Sequence, residues 1–305
     1  MSSVQKSFSS KILLFGEYSI IKSSMGLAMP YPLFEGKLTF RRDGSQTIDP
    51  ELKAMGQYIK KIQAEKKLNF EFDVDSFEFD VSQGLYFDSS IPQGFGVGSS
   101  GALVAAIYDR YGHHRDDESA DIRKLKSNFS VLESHFHGSS SGLDPLISYL
   151  NSPILIKNKV ELGPVYLPKF PKGEGALFLL NTKRSRKTEP LVNLFLEKYS
   201  NDNFASLCEN TLTPVTNNCI DSFLNADLNA LIKNFKELSH FQFQHFTPMI
   251  PNLYRDLWNN SLAKDDFYLK LCGAGGGGFL MGFAPNFQRA KQSLQGHEVR
   301  SILSF

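Results

Sequence analysis

Four glycines, Gly94, Gly96, Gly98 and Gly101, and two serines, Ser99 and Ser100, stand at the front of "QGFGVGSSGALVAAIYDRY" (93–111), where an apolar helix begins. Residues without a Cβ let backbone N–H groups approach an anion, and a helix N-terminus adds positive potential, so phosphate is the natural guest. The serine hydroxyls can bind a phosphate oxygen or Mg²⁺. No Gly-Lys-Ser/Thr closes the loop and the glycine spacing is not that of a dinucleotide fingerprint, so it is neither Walker A nor Rossmann. Close helix packing is an equally good use for the same glycines. A second glycine-rich stretch, "KLCGAGGGGF" (270–279), separates two apolar runs. Ordering it carries a large entropic penalty that a binding role offsets better than packing does.

Charged candidates surround these loops. Asp144 in "GSSSGLDPLISYL" precedes Pro145 and an apolar run, which is how an N-cap reads. Glu133 flanks a helical apolar stripe, where a solvated carboxylate is ordinary, and His135 and His137 read as surface or core histidines. Lys11 opens "ILLFGEY". Lys183, Arg184, Arg186 and Lys187 crowd "NTKRSRKTEPLV" (181–192), and a guanidinium there can clamp a carboxylate with two parallel hydrogen bonds.

The positioning elements follow from periodicity. "FEGKLTF" (34–40), "LNFEFDV" (68–74) and "FEFDV" (77–81) alternate as half-buried strands do. "DPELKAMGQYIKKIQ" (49–63) repeats apolar residues at three and four, with Asp49 as N-cap and Pro50 at the first helical position. Ile122, Leu125, Phe129, Leu132 and Phe136 form another helical stripe. "GALFLLNT" (175–182) reads as a buried strand, 189–199 and 227–245 as helices, and 267–283 as strand, glycines, strand. Proline and glycine in "GPVYLPKFPKGEG" (163–175) place a boundary near 170, giving domains 1–170 and 171–305. "HHRDDE" (113–118) reads as a solvated loop.

With 33 basic and 32 acidic residues in 305, the chain has no electrostatic case for nucleic acid or an anionic membrane. No stretch reads as a signal peptide or a span, so a cytoplasmic location is expected. Cys208, Cys219 and Cys272 lack metal or disulfide spacing, so neither feature is expected.

Three motifs in order, "KILLFGEYSII", "PQGFGVGSSGA" and "KLCGAGGGGF", resemble those of the GHMP small-molecule kinases. Within that family "ESHFHGSSSGLD" (133–144) and "NTKRSRKTEPLV" are most similar to mevalonate kinases, whereas Tyr18 stands where these usually have histidine, and "GEY" with "GSSG" is closer to phosphomevalonate kinases. The resemblance implies an α+β, two-domain GHMP kinase fold. Its N-terminal half is ribosomal protein S5 domain 2-like with a left-handed crossover, and its C-terminal half is ferredoxin-like. It implies ATP and Mg²⁺, and phosphoryl transfer to a small-molecule alcohol, mevalonate first. Phosphomevalonate, a sugar, or a non-catalytic nucleotide-binding regulator are the alternatives. Carried over by position, Asp144 and Lys11 are catalytic, and Ser100 and Glu133 hold the metal. Gly94, Gly96, Val97, Gly98, Ser99, Ser100, Gly101 and Ala102 bind nucleotide. Glu17, Tyr18, Arg186, Thr188, Gly275 and Gly276 line the acceptor pocket, in an interdomain cleft. A homodimer is allowed; nucleic acid and membrane are not expected partners.

Overall fold

The computed structural model describes residues 6–22, 24–41, 46–113, 121–158, 161–186 and 188–305. Lys187 and positions 114–118 of "HHRDDE" lie outside them. The chain divides into two compact units; the first takes the chain through Lys11, then Met29–Pro92 and Val97–Ser152, and the second takes Ile12–Ala28, Gln93–Gly96 and Pro153–Phe305. Strands β1 (Phe8–Phe15) and β2 (Gly26–Phe40) run on from one unit into the other.

The first unit follows β2 with α1 (Pro50–Ala64), β3 (Glu71–Phe72), α2 (Val74–Ser82), β4 (Leu85–Ser89), α3 (Ser99–Tyr111), β5 (Gly112–His113), α4 (Ile122–His137) and α5 (Leu143–Leu150). Residues 36–40 of β2 pair antiparallel with β4. The α1 helix starts as its sequence dictates: the Asp49 carboxylate accepts from the N–H groups of Glu51 and Leu52 with Pro50 in the first turn. Two expected strands are corrected here. Of 68–74 only Glu71–Phe72 is extended, and 77–81 lies inside α2. Asp73 caps that helix by accepting from Ser76 N–H at 3.0 Å. Its buried side chains, Val74, Phe77 and Val81, keep helical spacing, while Phe79, the residue that completed the alternation, is 64% exposed. The core gathers edge-to-face rings, Phe70 and Phe129 on Tyr108 and Phe77 on Tyr111.

The second unit continues with β6 (Ile154–Ile156), β7 (Leu162–Pro164), β8 (Ala176–Asn181), α6 (Glu189–Tyr199), α7 (Asp202–Leu207), α8 (Thr213–Leu224), α9 (Leu228–His245), α10 (Arg255–Lys264), β9 (Tyr268–Leu271), β10 (Phe279–Ala284), α11 (Phe287–Ser293) and β11 (Val299–Ser304). Four strands form an antiparallel sheet in the order β11-β8-β10-β9. This is the order of a ferredoxin-like split βαβ arrangement, with the helices α6–α10 joining β8 to β9 and α11 joining β10 to β11. The α7 and α8 helices, joined by a π-helical turn at Cys208–Leu212, and α10 are additions to the sequence reading. Buried Cys208, Leu212, Val215, Cys219 and Phe223 form the stripe that holds the π-helical turn and α8 down, so these cysteines serve as small apolar core residues. No described helix is long and apolar enough to cross a membrane.

Candidate active site

In the first unit, Lys11 is a buried lysine in the middle of β1, only 8% exposed. Its backbone N–H donates to Val97 O at 2.9 Å, which fixes the glycine loop to the strand. Its Nζ lies 3.0 Å from Asp144 Oδ1. Asp144 is the second residue of α5, not its cap; the cap is Gly142, which offers no side-chain hydrogen bond. The carboxylate is therefore committed to Lys11 and not to its own helix.

The loop glycines answer to packing here. A Cβ on Gly101 would stand 2.8 Å from the backbone carbonyl carbon and the Cβ of Asp144, and one on Gly98 would stand 2.9 Å from Lys11 Cγ. Only a bare Cα lets the first turn of α3 touch the first turn of α5. That first turn is capped by Gly98 at φ +80° with no side-chain acceptor, so its leading N–H groups have no side-chain partner at the cap.

Glu133 projects from α4 into the same place and is 3% exposed. Ser100 Oγ donates to its Oε1 at 3.2 Å, and Ser140 Oγ donates to Oε2. Burial, reinforced by the negative charge of Asp144 and opposed by Lys11 and the two serines, pushes its carboxyl up to about 7. A carboxyl that holds its proton more tightly when folded stabilises the fold below its ordinary range, and that contribution disappears as pH rises from 4.5 to about 7. Glu133→Gln is therefore expected to stabilise the metal-free chain at about pH 8 by on the order of 3 kcal/mol and to change little at about pH 5. Denaturant titration at both pH values checks this; equal effects at both would contradict it.

In the second unit the remaining predicted residues gather around the second glycine-rich stretch. Arg186 donates from Nη2 to Cys272 O at 3.2 Å. A Cβ on Gly96 would stand 2.0 Å from that Nη2 and one on Gly273 2.7 Å from it, so only glycine at both positions leaves room for the guanidinium. Arg186 N–H also donates to Gly94 O at 2.9 Å. Glu17 pairs with Lys270, both fully buried, and Lys270 Nζ also donates to Leu271 O at 2.8 Å. Burial raises the Glu17 carboxyl, Lys270 opposing it. Tyr18 is held at φ +63° with its hydroxyl donating to Ala274 O at 2.5 Å and its ring between Phe195 and Phe246. Gly276 N–H donates to Met249 O, and the backbone of Gly275 runs beside the same carbonyl. Thr188 is exposed at the start of α6.

Sequence reasoning passed over three participants. Lys270 meets a partner 253 residues away, beyond the reach of local spacing. Ser140 was part of a serine run with nothing to single it out. His137 lies one helical turn beyond Glu133, a spacing that was available, and its Nε2 is 3.0 Å from Ser100 Oγ.

Residues 57–152 match the model of the GHMP kinases N terminal domain. A comparison with curated protein sequences gives no match. The chain is similar in structure to L. major mevalonate kinase in complex with R-mevalonate, with a TM-score of 0.65 at 16% identity over 97% of this chain and 91% of that one. It is similar to Streptococcus pneumoniae phosphomevalonate kinase in complex with phosphomevalonate and AMPPNP, with a TM-score of 0.65 at 15% identity over 98% and 100%. Lactococcus lactis galactokinase complexed with galactose gives a TM-score of 0.68 at 14% identity over 98% and 93%. At these identities the shared property is the fold, which each of the three preserves over nearly its full length. Residues 57–152 thus carry the match to the GHMP kinases N terminal domain, and the whole chain shares its fold with these three kinases.

Proposed function

We propose that this chain is an ATP-dependent kinase that phosphorylates the hydroxyl of a small molecule, with mevalonate as the first acceptor. The observation that carries the reading is the pairing of Lys11 with Asp144 beside the first turn of α3, with Ser100 and Glu133 alongside. The leading N–H groups of α3 bind the ATP phosphates, where the helix dipole favours negative charge. Asp144 accepts the proton of the attacking hydroxyl. Lys11 holds that carboxylate in one orientation and stabilises the negative charge that develops on the alcohol oxygen. Phosphoryl transfer needs little covalent help, so placement and charge neutralisation do most of the work.

Among the described residues no three His, Cys, Asp or Glu side chains form a metal cluster by themselves. The oxygen donors of Glu133 and Ser100 nevertheless suit Mg²⁺, which takes one or two protein oxygens and fills its remaining positions with water and phosphate. A buried carboxyl held up near neutral pH is also a group that a cation would stabilise in its ionised form. When bound, the metal neutralises charge on the β- and γ-phosphates.

Glu17 and Tyr18 serve the acceptor pocket by fixing the backbone of 272–274, and Arg186 supplies its positive charge; Thr188, Gly275 and Gly276 complete it. A second reading, phosphomevalonate as acceptor, is favoured by Tyr18 in place of the histidine usual in mevalonate kinases. ADP release measured with mevalonate, phosphomevalonate and galactose separates these. Mevalonate-dependent release is expected to dominate; tight ATP binding without release on any acceptor would overturn the kinase reading in favour of a regulator. Gly101→Ala is expected to lower turnover at least about tenfold with nucleotide affinity nearly kept, because a small displacement of Asp144 misaligns the reacting atoms. Unchanged turnover would remove the α3–α5 contact from the account.

A further inference from the structure

The second turn from the end of α4 carries Glu133, and the last carries His137, four residues on, so both side chains leave the same face of the helix. Between them sits Ser100, at the start of α3. Its Oγ is 3.2 Å from Glu133 Oε1 and 3.0 Å from His137 Nε2. Adjacent ligands of an octahedral ion with bonds of about 2.1 Å stand about 3.0 Å apart, √2 times the bond length. The two measured separations therefore match two edges that share the Ser100 vertex. His135, the other histidine of this turn, is turned away onto the ring of Tyr58 at 5.1 Å. His137 itself is exposed and needs no rearrangement of the core to reach the position.

We infer that His137 is a third protein ligand of the divalent cation, so that the site offers a carboxylate, a hydroxyl and an imidazole nitrogen. This rests on the kinase reading above and adds a residue and a metal preference to it. Nitrogen ligation requires the Nε2 lone pair, which places the proton of the neutral ring on Nδ1. An imidazole donor suits Mn²⁺, Co²⁺ and Zn²⁺ better than Mg²⁺, which prefers oxygen throughout. The chain should therefore hold Mn²⁺ with nucleotide more tightly than Mg²⁺, and His137 should be the reason.

The test uses the full chain labelled with [¹⁵N]histidine and loaded with Mn²⁺ and the non-hydrolysable β,γ-methylene analogue of ATP. Pulsed electron paramagnetic resonance is expected to detect coupling of Mn²⁺ to a histidine ¹⁵N, and His137→Ala and His137→Asn are each expected to abolish it. Either variant should weaken Mn²⁺ binding in the nucleotide complex at least about tenfold, and Mg²⁺ binding distinctly less. A nucleotide complex that forms with no histidine coupling in the unsubstituted protein would overturn the ligand assignment and leave the kinase reading standing. Equal losses with both metals would overturn it too, making His137 a phosphate contact. Failure of the chain to bind the nucleotide with either metal would sink both.

Discussion

Asp144→Asn is expected to lower kcat by about 10²–10⁴, the range general-base catalysis contributes, while ATP binding stays within a few-fold of the unsubstituted chain. The amide keeps the shape of the carboxylate and can still accept from Lys11 through its oxygen, so α5 and the first turn of α3 keep their places. What it loses is the ability to take a proton and half of the charge pair. A drop in nucleotide affinity of the same size as the drop in kcat would mean that Asp144 positions phosphate and does not act on the hydroxyl. Near-normal turnover would remove it from the chemistry altogether.

The largest expected effect on stability is at Lys270. Its ammonium and the Glu17 carboxylate are both buried, and among the described residues none hydrogen-bonds Glu17 Oε2. Lys270→Met leaves a carboxylate stranded in the core, which costs about 3–5 kcal/mol. Because the abandoned carboxyl can escape by taking up a proton, the loss should shrink as pH falls. The double substitution Lys270→Met with Glu17→Gln removes both charges and should recover much of the loss, since an isosteric replacement of a buried pair is close to neutral. Denaturant melts of the single and double variants across pH check this. A loss under about 1 kcal/mol for the single variant would contradict the reading of the pair as mutually dependent.

How much of this was legible in the sequence depended on whether the information was local. The α1 helix, with its Asp-Pro start and clean stripe, and the strand–glycines–strand of 267–283 needed only neighbours and were readable. The stretch 68–81 misled because "FEFDV" satisfies a period of two as well as the i, i+3, i+7 spacing of Val74, Phe77 and Val81; the deciding signal, Asp73 three residues ahead of Ser76, is a capping interaction that an alternation count does not weigh. Asp144 looked like a cap for the opposite reason: Asp-Pro is the usual local explanation, and only the position of Lys11, 133 residues earlier, shows where the carboxylate goes. Glu133 read as solvated because a stripe tells which face is apolar and not which flank a neighbouring helix covers; it is 3% exposed. His137 and Lys270 depended on side-chain direction and on distant pairing, which spacing does not encode.

The most direct test of the central claim is a crystal structure of the chain with AMPPNP and Mg²⁺. The account predicts the phosphates on the first turn of α3, the metal on Ser100 and Glu133, and Asp144 with Lys11 facing the terminal phosphate. Phosphates bound elsewhere, with Glu133 and Asp144 far from them, would contradict it.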